Sequence, residues 1–185
     1  MRGSRPAVRR GGARRWARLG VLVGAAASLH CGYRLIGHGG ALEAAGIGSI
    51  GVPVFQNRTH RPEIDQRITE QVIGELINRT KLVVKGSEAG VDALLEGEIL
   101  AYVTQPVTVN PEGRTTRYEI TVRARVALED LRRGGIVWED PHFVFQAQYD
   151  VDPNVEEFVD EEIVAIDKVA RGFAASVVTS LLDGF

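Results

Sequence analysis

The sequence predicts an α+β fold: a two-layer sandwich with two helices packed on one face of a four-stranded, mostly antiparallel sheet. One observation is the order of patterns, which from Ile47 onward runs strand, helix, three strands, helix. Another is that short turns join the three middle strands, which therefore form an antiparallel meander. A sheet with one apolar face must bury that face against helices, so both helices are expected on the same side.

The first predicted strand is Ile47–Phe55, and Pro53 within it lacks an amide donor, which indicates an edge strand or a strand end. The face predicted to be buried consists of Ile50, Val52 and Val54. A helix follows from Pro62, a residue favoured in the first helical turn. Its apolar stripe consists of Ile64, Ile68, Val72, Ile73, Leu76, Ile77 and Thr80. Leu82–Lys85 is a brief extended piece.

The meander begins with a strand over Asp92–Thr104, a turn over Pro106–Gly113 and a second strand over Arg117–Asp130. The inward face of the first strand is predicted to be Ala93, Leu95, Gly97, Ile99, Ala101 and Val103. The inward face of the second is Tyr118, Ile120, Val122, Ala124, Val126 and Leu128. The residues between them are largely charged, so the other face of the sheet is expected to meet water.

Arg132–Gly135 is a hairpin turn, and Ile136–Tyr149 is the return strand. The residues of this strand that are expected to face the core have even numbers before Asp140–Pro141 and odd numbers after it, which predicts a β-bulge there.

The last helix is capped by Asp152 or Asn154 and ends near Gly184. Its predicted stripe is Val155, Val159, Ile163, Ile166, Ala170, Phe173, Val177 and Leu181. Its acidic start (Glu156, Glu157, Asp160, Glu161, Glu162) lacks the glycine-turned loop of a calcium hand, so a solvated helix start is expected and no metal site.

Residues 1–30 have the layout of a secretory signal, with seven arginines, no acidic residue and then the apolar run Leu19–Leu29. That run is about 11 residues, whereas a membrane-spanning helix needs roughly 20. Cys31 is the only cysteine of the chain and follows directly. We therefore expect Cys31 to begin the mature protein and to carry a lipid. The alternatives are a plain anchor helix, or a free structural cysteine after a conventional signal.

This arrangement resembles a bacterial lipoprotein, although Ser28-Leu29-His30-Cys31 departs from the usual Leu-(Ala/Ser)-(Gly/Ala)-Cys. The resemblance implies a diacylglycerol thioether and an N-acyl group on Cys31, and two or more acyl chains anchor a protein firmly. Gly32, in place of an aspartate, favours sorting to the outer membrane. No other cofactor is expected.

The predicted domains are a signal peptide over 1–30, a flexible glycine-rich lead over 31–46, and a single α+β domain over 47–185. From Cys31 onward the chain keeps 15 of its 22 basic residues and all 24 acidic ones, a formal charge of −9. An acidic domain argues against nucleic acid as a partner.

No catalytic pattern is found. None of the four histidines has metal-ligand spacing to another histidine or cysteine, and no phosphate loop or nucleophile elbow occurs. The pairs Glu96/Glu98 and Glu156/Glu157 fall on an exposed strand face and at a helix start. A catalytic carboxylate pair needs burial or convergence, and the sequence implies neither. The chain is therefore expected not to be an enzyme.

Several stretches in order resemble the LptE family of lipopolysaccharide-assembly lipoproteins. They are Cys31-Gly32-Tyr33-Arg34-Leu35, the stretch Ile50–Thr59 with Pro62 and Ile68-Thr69 after it, Ala93–Gly97, the Tyr118 strand, Val137-Trp138 and Tyr149. The Ile50–Thr59 stretch also resembles CsgG-like secretion lipoproteins and LpoB-like activators of cell-wall synthases, which makes another outer-membrane adaptor the alternative function.

The LptE resemblance implies an outer-membrane lipoprotein on the periplasmic side that binds the β-barrel LptD, aids its assembly and plugs it during lipopolysaccharide transport. It also implies lipopolysaccharide itself as a ligand. Arg114, Arg117, Arg123 and Arg125 are candidate contacts, because arginine pairs bidentately with phosphate. The alternative for this set is an ordinary solvated strand face.

Overall fold

The computed structural model describes Leu42, residues 45–152 and residues 158–184, with side-chain surroundings in the last segment from residue 164. The predicted signal, the Cys31 lipidation site and the Glu156/Glu157 pair lie outside the described residues, as do the side-chain surroundings of Asp160, Glu161 and Glu162. The elements, in chain order, are β1 (Ser49–Gly51), β2 (Gln56–Asn57), α1 (Ile64–Arg79), β3 (Val83–Lys85), β4 (Ala93–Val109), β5 (Thr115–Asp130), β6 (Ile136–Asp150) and α2 (Phe158–Asp183).

The sheet is mixed and has six strands, so the predicted α+β class is confirmed but the four-stranded count is wrong. Its order is β3-β1-β4-β5-β6, with β2 also paired to β4. The strands β1 and β2 run parallel to β4, and β3 runs parallel to β1, whereas β4, β5 and β6 form the expected antiparallel meander. The extra strands are two or three residues long, which is too short for a pattern to show.

The predicted first strand, Ile47–Phe55, is shorter in the structure, because β1 covers only Ser49–Gly51 and β2 begins after Phe55. The chain leaves its pairing with β4 after Gly51 and resumes it at Gln56, opposite Glu98. Ile50 and Val52 are buried as expected, but Val54 is 58% exposed and Phe55 is buried in its place. The strand is interrupted because proline cannot donate to the ladder, and the chain beyond it changes phase.

The first hairpin of the meander, β4 and β5, is longer than predicted. The strand β4 continues through Pro106 to Val109, so the turn is restricted to residues 110–114. A register shift between Ile99 and Ala101 changes the phase of β4, and Tyr102 rather than Val103 packs against the core. In β6 the register shifts opposite Ala124 and Val126, so the bulge expected at Asp140–Pro141 is confirmed.

Both helices contribute to one core with the covered face of the sheet. They run parallel to each other, since Arg67 near the start of α1 pairs with Asp167, and Arg79 at its end donates a 2.7 Å hydrogen bond to Thr179 Oγ1. The described part of the α2 stripe is buried as predicted. In α1 the stripe residues Ile64, Ile68, Val72 and Leu76 are buried, whereas Ile73 and Thr80 are partly buried and Ile77 is 57% exposed. Leu42, in the segment predicted as a flexible lead, is fully buried, and its carbonyl accepts a hydrogen bond from Ile47.

Candidate functional site

The open face of the sheet is polar, and its charges are paired. Glu98 on β4 accepts a hydrogen bond from Arg58 Nε at 2.8 Å and another from Arg125 Nη1 at 3.3 Å. The side chains of both arginines are more than half exposed, whereas that of Glu98 is 23% exposed. One carboxylate therefore connects the chain beyond β2 with β5 across β4.

Further along the same face, Glu119 on β5 accepts hydrogen bonds from Gln105 and Gln148, both at 3.1 Å. Arg117 pairs with Asp150 on β6 at 2.6 Å. These contacts cross all three long strands. The face therefore offers water or a partner a surface of amides and compensated charges.

The four candidate arginines do not form one cluster. Arg117, Arg123 and Arg125 lie on the open face of β5 as expected, whereas Arg114 lies in the turn before β5. Because a strand rises about 3.3 Å per residue, Arg117 and Arg125 are roughly 26 Å apart along the strand. Arg117 is engaged by Asp150 and Arg125 by Glu98.

A second polar surface, which the sequence analysis did not single out, lies at the edge of β4 next to the loop after β2. A groove of about 510 Å³ is lined there by Arg58, His60 and Arg61 on one side and by Leu100, Tyr102 and Thr104 on the other. The Arg61 guanidinium lies over the Tyr102 ring, 5.9 Å from its centroid. The lining residues include three basic side chains and no carboxylate, and Arg58 also pairs with Glu98 on the open face.

Asn57 holds the loop that forms this groove. Its Oδ1 accepts hydrogen bonds from Thr59 N and Thr59 Oγ1 at 2.9 and 2.7 Å, and its Nδ2 donates to Arg61 O at 2.8 Å. Arg58 N donates to Ile99 O at 2.9 Å, which fastens the start of the loop to β4. The segment Gln56-Asn57-Arg58-Thr59, part of the family resemblance, therefore has a structural role, because asparagine side chains stabilise turns in this way.

At the opposite end of β4, Asp92 and Asp130 join the sheet to the β5–β6 turn. Asp92 Oδ2 accepts hydrogen bonds from Gly48 N and Ser49 N, both at 2.9 Å, and from Ser49 Oγ at 3.0 Å. Asp130 is 1% exposed, and its Oδ1 accepts from Arg132 N at 2.9 Å. Arg132 Nε lies 3.6 Å from a carboxylate oxygen of each aspartate.

Both carboxyl groups have a pKa below the ordinary value of 3.8. For Asp92 the main causes are the hydrogen bonds from Gly48 N and Ser49 Oγ, which outweigh desolvation. For Asp130 desolvation acts to raise the pKa, but the hydrogen bonds from the Arg133 and Arg132 amides and the charge of Arg132 together outweigh it. Each carboxylate therefore favours the folded state while it is ionised.

We expect this contribution to be complete at neutral pH. It should decline as the pH falls below 3.8, the ordinary aspartate value, and disappear once the pH has passed the lowered folded-state values. The measurement is the urea midpoint between pH 7 and pH 2.5 for the native chain, for Asp92→Asn and for the exposed control Glu112→Gln. Asp92→Asn should lose less stability on acidification than the native chain, and an unchanged acid response would contradict this role.

The described residues contain no group of three or more His, Cys, Asp or Glu side chains that could hold a metal ion. Glu96 is exposed on the open face, and Glu98 is engaged by two arginines. Of the helices in the described part of the chain, none is long and apolar enough to cross a membrane.

The architecture defines a class: a two-layer α+β domain with one sheet face covered by parallel helices and the other polar and open. The family model described as "LptE: Lipopolysaccharide-assembly" matches residues 47–181, nearly the whole of this domain. The chain belongs to the LptE family, which confirms the resemblance seen in the sequence. This family consists of non-enzymatic outer-membrane lipoproteins of lipopolysaccharide assembly, and it implies partnership with LptD.

Solved structures show the same fold at low sequence identity. A protein described as a lipoprotein from Caulobacter crescentus CB15 is similar with a TM-score of 0.51 and 14% identity over 75% of this chain and 92% of that one. A protein from Xanthomonas campestris is similar with a TM-score of 0.53 and 8% identity over 75% and 85%. No curated protein matches the sequence.

Proposed function

We propose that this chain is anchored through a lipid on Cys31 to the inner leaflet of the outer membrane, where it binds an LptD-like β-barrel, aids its assembly and plugs it during lipopolysaccharide transport. The observation that carries the proposal is the LptE family match over residues 47–181. The export layout before Cys31 supports the anchoring part.

The chemistry of the open sheet face supports the plug role. The lumen of a large outer-membrane barrel is polar and water-filled. A plug must therefore present polar groups without leaving many uncompensated charges facing the barrel wall. The Arg58–Glu98–Arg125 and Arg117–Asp150 contacts and the amides around Glu119 have this character.

The direct test is affinity purification of the tagged full chain from detergent-solubilised outer membrane, followed by mass spectrometry. We expect a large β-barrel protein in roughly equal amount. The matched control is Cys31→Ser, which should move the protein to the soluble fraction because the lipid is lost. Recovery of a cell-wall synthase, or of a ring of copies of the chain, would instead support the adaptor alternative. Membrane retention of Cys31→Ser without a co-purifying barrel would contradict lipid anchoring.

Direct lipopolysaccharide contact is a separate part of the proposal. If Arg114, Arg117, Arg123 and Arg125 contact its phosphates, their joint replacement by glutamine should weaken binding at least about tenfold, since one charge-assisted hydrogen bond contributes roughly 1.5–3 kcal/mol. The control replaces Lys81, Lys168 and Arg171 on the helical side, which are exposed or nearly so. Equal binding by both variants would mean that these arginines form a solvated strand face.

A further inference from the structure

One edge of the sheet is open where its neighbour stops. The pairing of β2 with β4 ends at Asn57 and Ile99, with the last hydrogen bond from Arg58 N to Ile99 O. The strand β4 then continues for ten residues, Leu100–Val109, paired with β5 on one side only. In the described part of the chain no strand lies against its other side. The backbone groups there are available to an added strand.

This edge lacks the charged side chains that protect the other edges of the sheet. Edge strands are normally kept from pairing by charged side chains, prolines, bulges or shortness. The edge strand β3 has three residues, one of them Lys85, and β6 carries Glu139 and Asp140 and the bulge at Pro141. In contrast, β4 has no charged residue from Ile99 to Val109.

The regular part of the edge is Ala101–Gln105. Register shifts occur between Ile99 and Ala101 and again after Pro106, which also lacks an amide donor. Between them the strand keeps a continuous register with β5. Five residues span about 17 Å, enough for a short added strand. Leu100 and Val103, 41% and 44% exposed, supply apolar surface beside it.

The basic groove lies directly along this edge. Arg58, His60 and Arg61 line it opposite Leu100, Tyr102 and Thr104. The Asn57 hydrogen bonds fix the loop that carries these side chains, so little ordering is needed when a ligand binds. A backbone edge selects an extended peptide, and the arginines select acidic side chains on it.

We propose that an extended, acidic segment of a partner protein adds to the Ala101–Gln105 edge of β4 as a short strand, continuing the line of β2, with its carboxylates beside Arg58 and Arg61. The main-chain hydrogen bonds provide the binding, and the two arginines provide the preference for acidic segments. This surface is distinct from the open-face arginines of β5, and its test uses the isolated lipoprotein, so its result is independent of whether a barrel is recovered.

The probes are three synthetic seven-residue peptides that alternate valine and threonine. One has glutamate at both ends, one has lysine at both ends, and one has the glutamate ends with alternate amides N-methylated. Binding to the purified full chain in detergent is measured by fluorescence anisotropy, and hydrogen exchange locates the amides that become protected. We expect the glutamate peptide to bind at least about tenfold more tightly than the lysine peptide, a difference of about 1.4 kcal/mol. N-methylation should remove binding, and protection should appear in residues 101–105.

The charge-swap variant Arg58→Glu/Arg61→Glu should reverse the preference between the two peptides, while the control Lys81→Glu/Arg171→Glu should keep it. Should the swap variant not fold, Arg58→Gln/Arg61→Gln should lose the preference for the glutamate peptide. Binding of that peptide to the native chain should also weaken as the salt concentration rises, because salt screens the charges. The proposal would be overturned if the N-methylated peptide bound as tightly as the glutamate peptide, or if hydrogen exchange showed protection outside residues 101–105. It would also be overturned if the charge-swap variant kept its preference for the glutamate peptide, or if the chain bound inorganic phosphate alone.

Discussion

Replacing Gly97 with alanine is expected to lower the free energy of unfolding by about 1–3 kcal/mol, the usual cost of overpacking a core. A Cβ at this position would lie 2.2 Å from two carbon atoms of the Phe55 ring. Phe55 is 2% exposed, so its ring has no free space to move into, and the sheet or the ring must shift. Urea unfolding of the purified chain, followed by circular dichroism, measures the loss.

The chain provides a matched control in Gly74→Ala, because nothing lies within 4 Å of a Cβ at that position in α1. That change should stabilise the helix by up to about 1 kcal/mol. A double variant also tests the cause: Phe55→Leu should cost less when Gly97 is already alanine, since part of the clash is removed. Equal urea midpoints for Gly97→Ala and Gly74→Ala would show that the close approach of Phe55 to Gly97 is not a constraint.

The largest effect of a single core substitution is expected at Phe173. This α2 side chain is fully buried and makes edge-to-face contacts with Phe143 and Phe145 of β6, with centroids 5.0 and 6.4 Å away. Phe173→Ala should cost about 3–5 kcal/mol, a large part of the 5–15 kcal/mol that typically stabilises a domain. Such a loss should appear as a lower urea midpoint and a smaller yield of folded protein.

The control for this position is Val164→Ala on the same helix, where the side chain is 65% exposed. Its effect should stay within about 0.5 kcal/mol. A similar loss for the two variants would mean that α2 does not depend on its contact with β6. Phe173→Leu should recover much of the loss, because leucine fills more of the site than alanine and leaves a smaller cavity.

Two of the motifs that carried the family resemblance are neighbours in the structure. Phe55 belongs to the Ile50–Thr59 stretch and Gly97 closes the Ala93–Gly97 stretch, and the ring of the first fills the space that the second leaves without a side chain. Asn57, in the first stretch, organises the loop beside the basic groove. Family membership was therefore readable from the sequence, whereas the contact behind it was not.

The sequence by itself determined the elements whose signals are local. The inward face of β5, the stripe of α2 from Ile166 onward and the bulge at Asp140–Pro141 were all readable, since each depends on the spacing of neighbouring residues. The lipid on Cys31 is also inferred from a local pattern, and it stays a prediction.

Only the tertiary structure decided which distant segments pair and which side chains meet. The strands β2 and β3 are too short for periodicity, and they join the sheet, as β1 does, because β4 and its neighbours satisfy their backbone groups. Asp130 is buried because turn amides hold its carboxylate, and the β5 arginines are separated because an extended strand places them far apart. The open edge of β4 likewise exists because β2 ends at Asn57. The end of this strand pairing is visible in the structure but not in the composition of the chain.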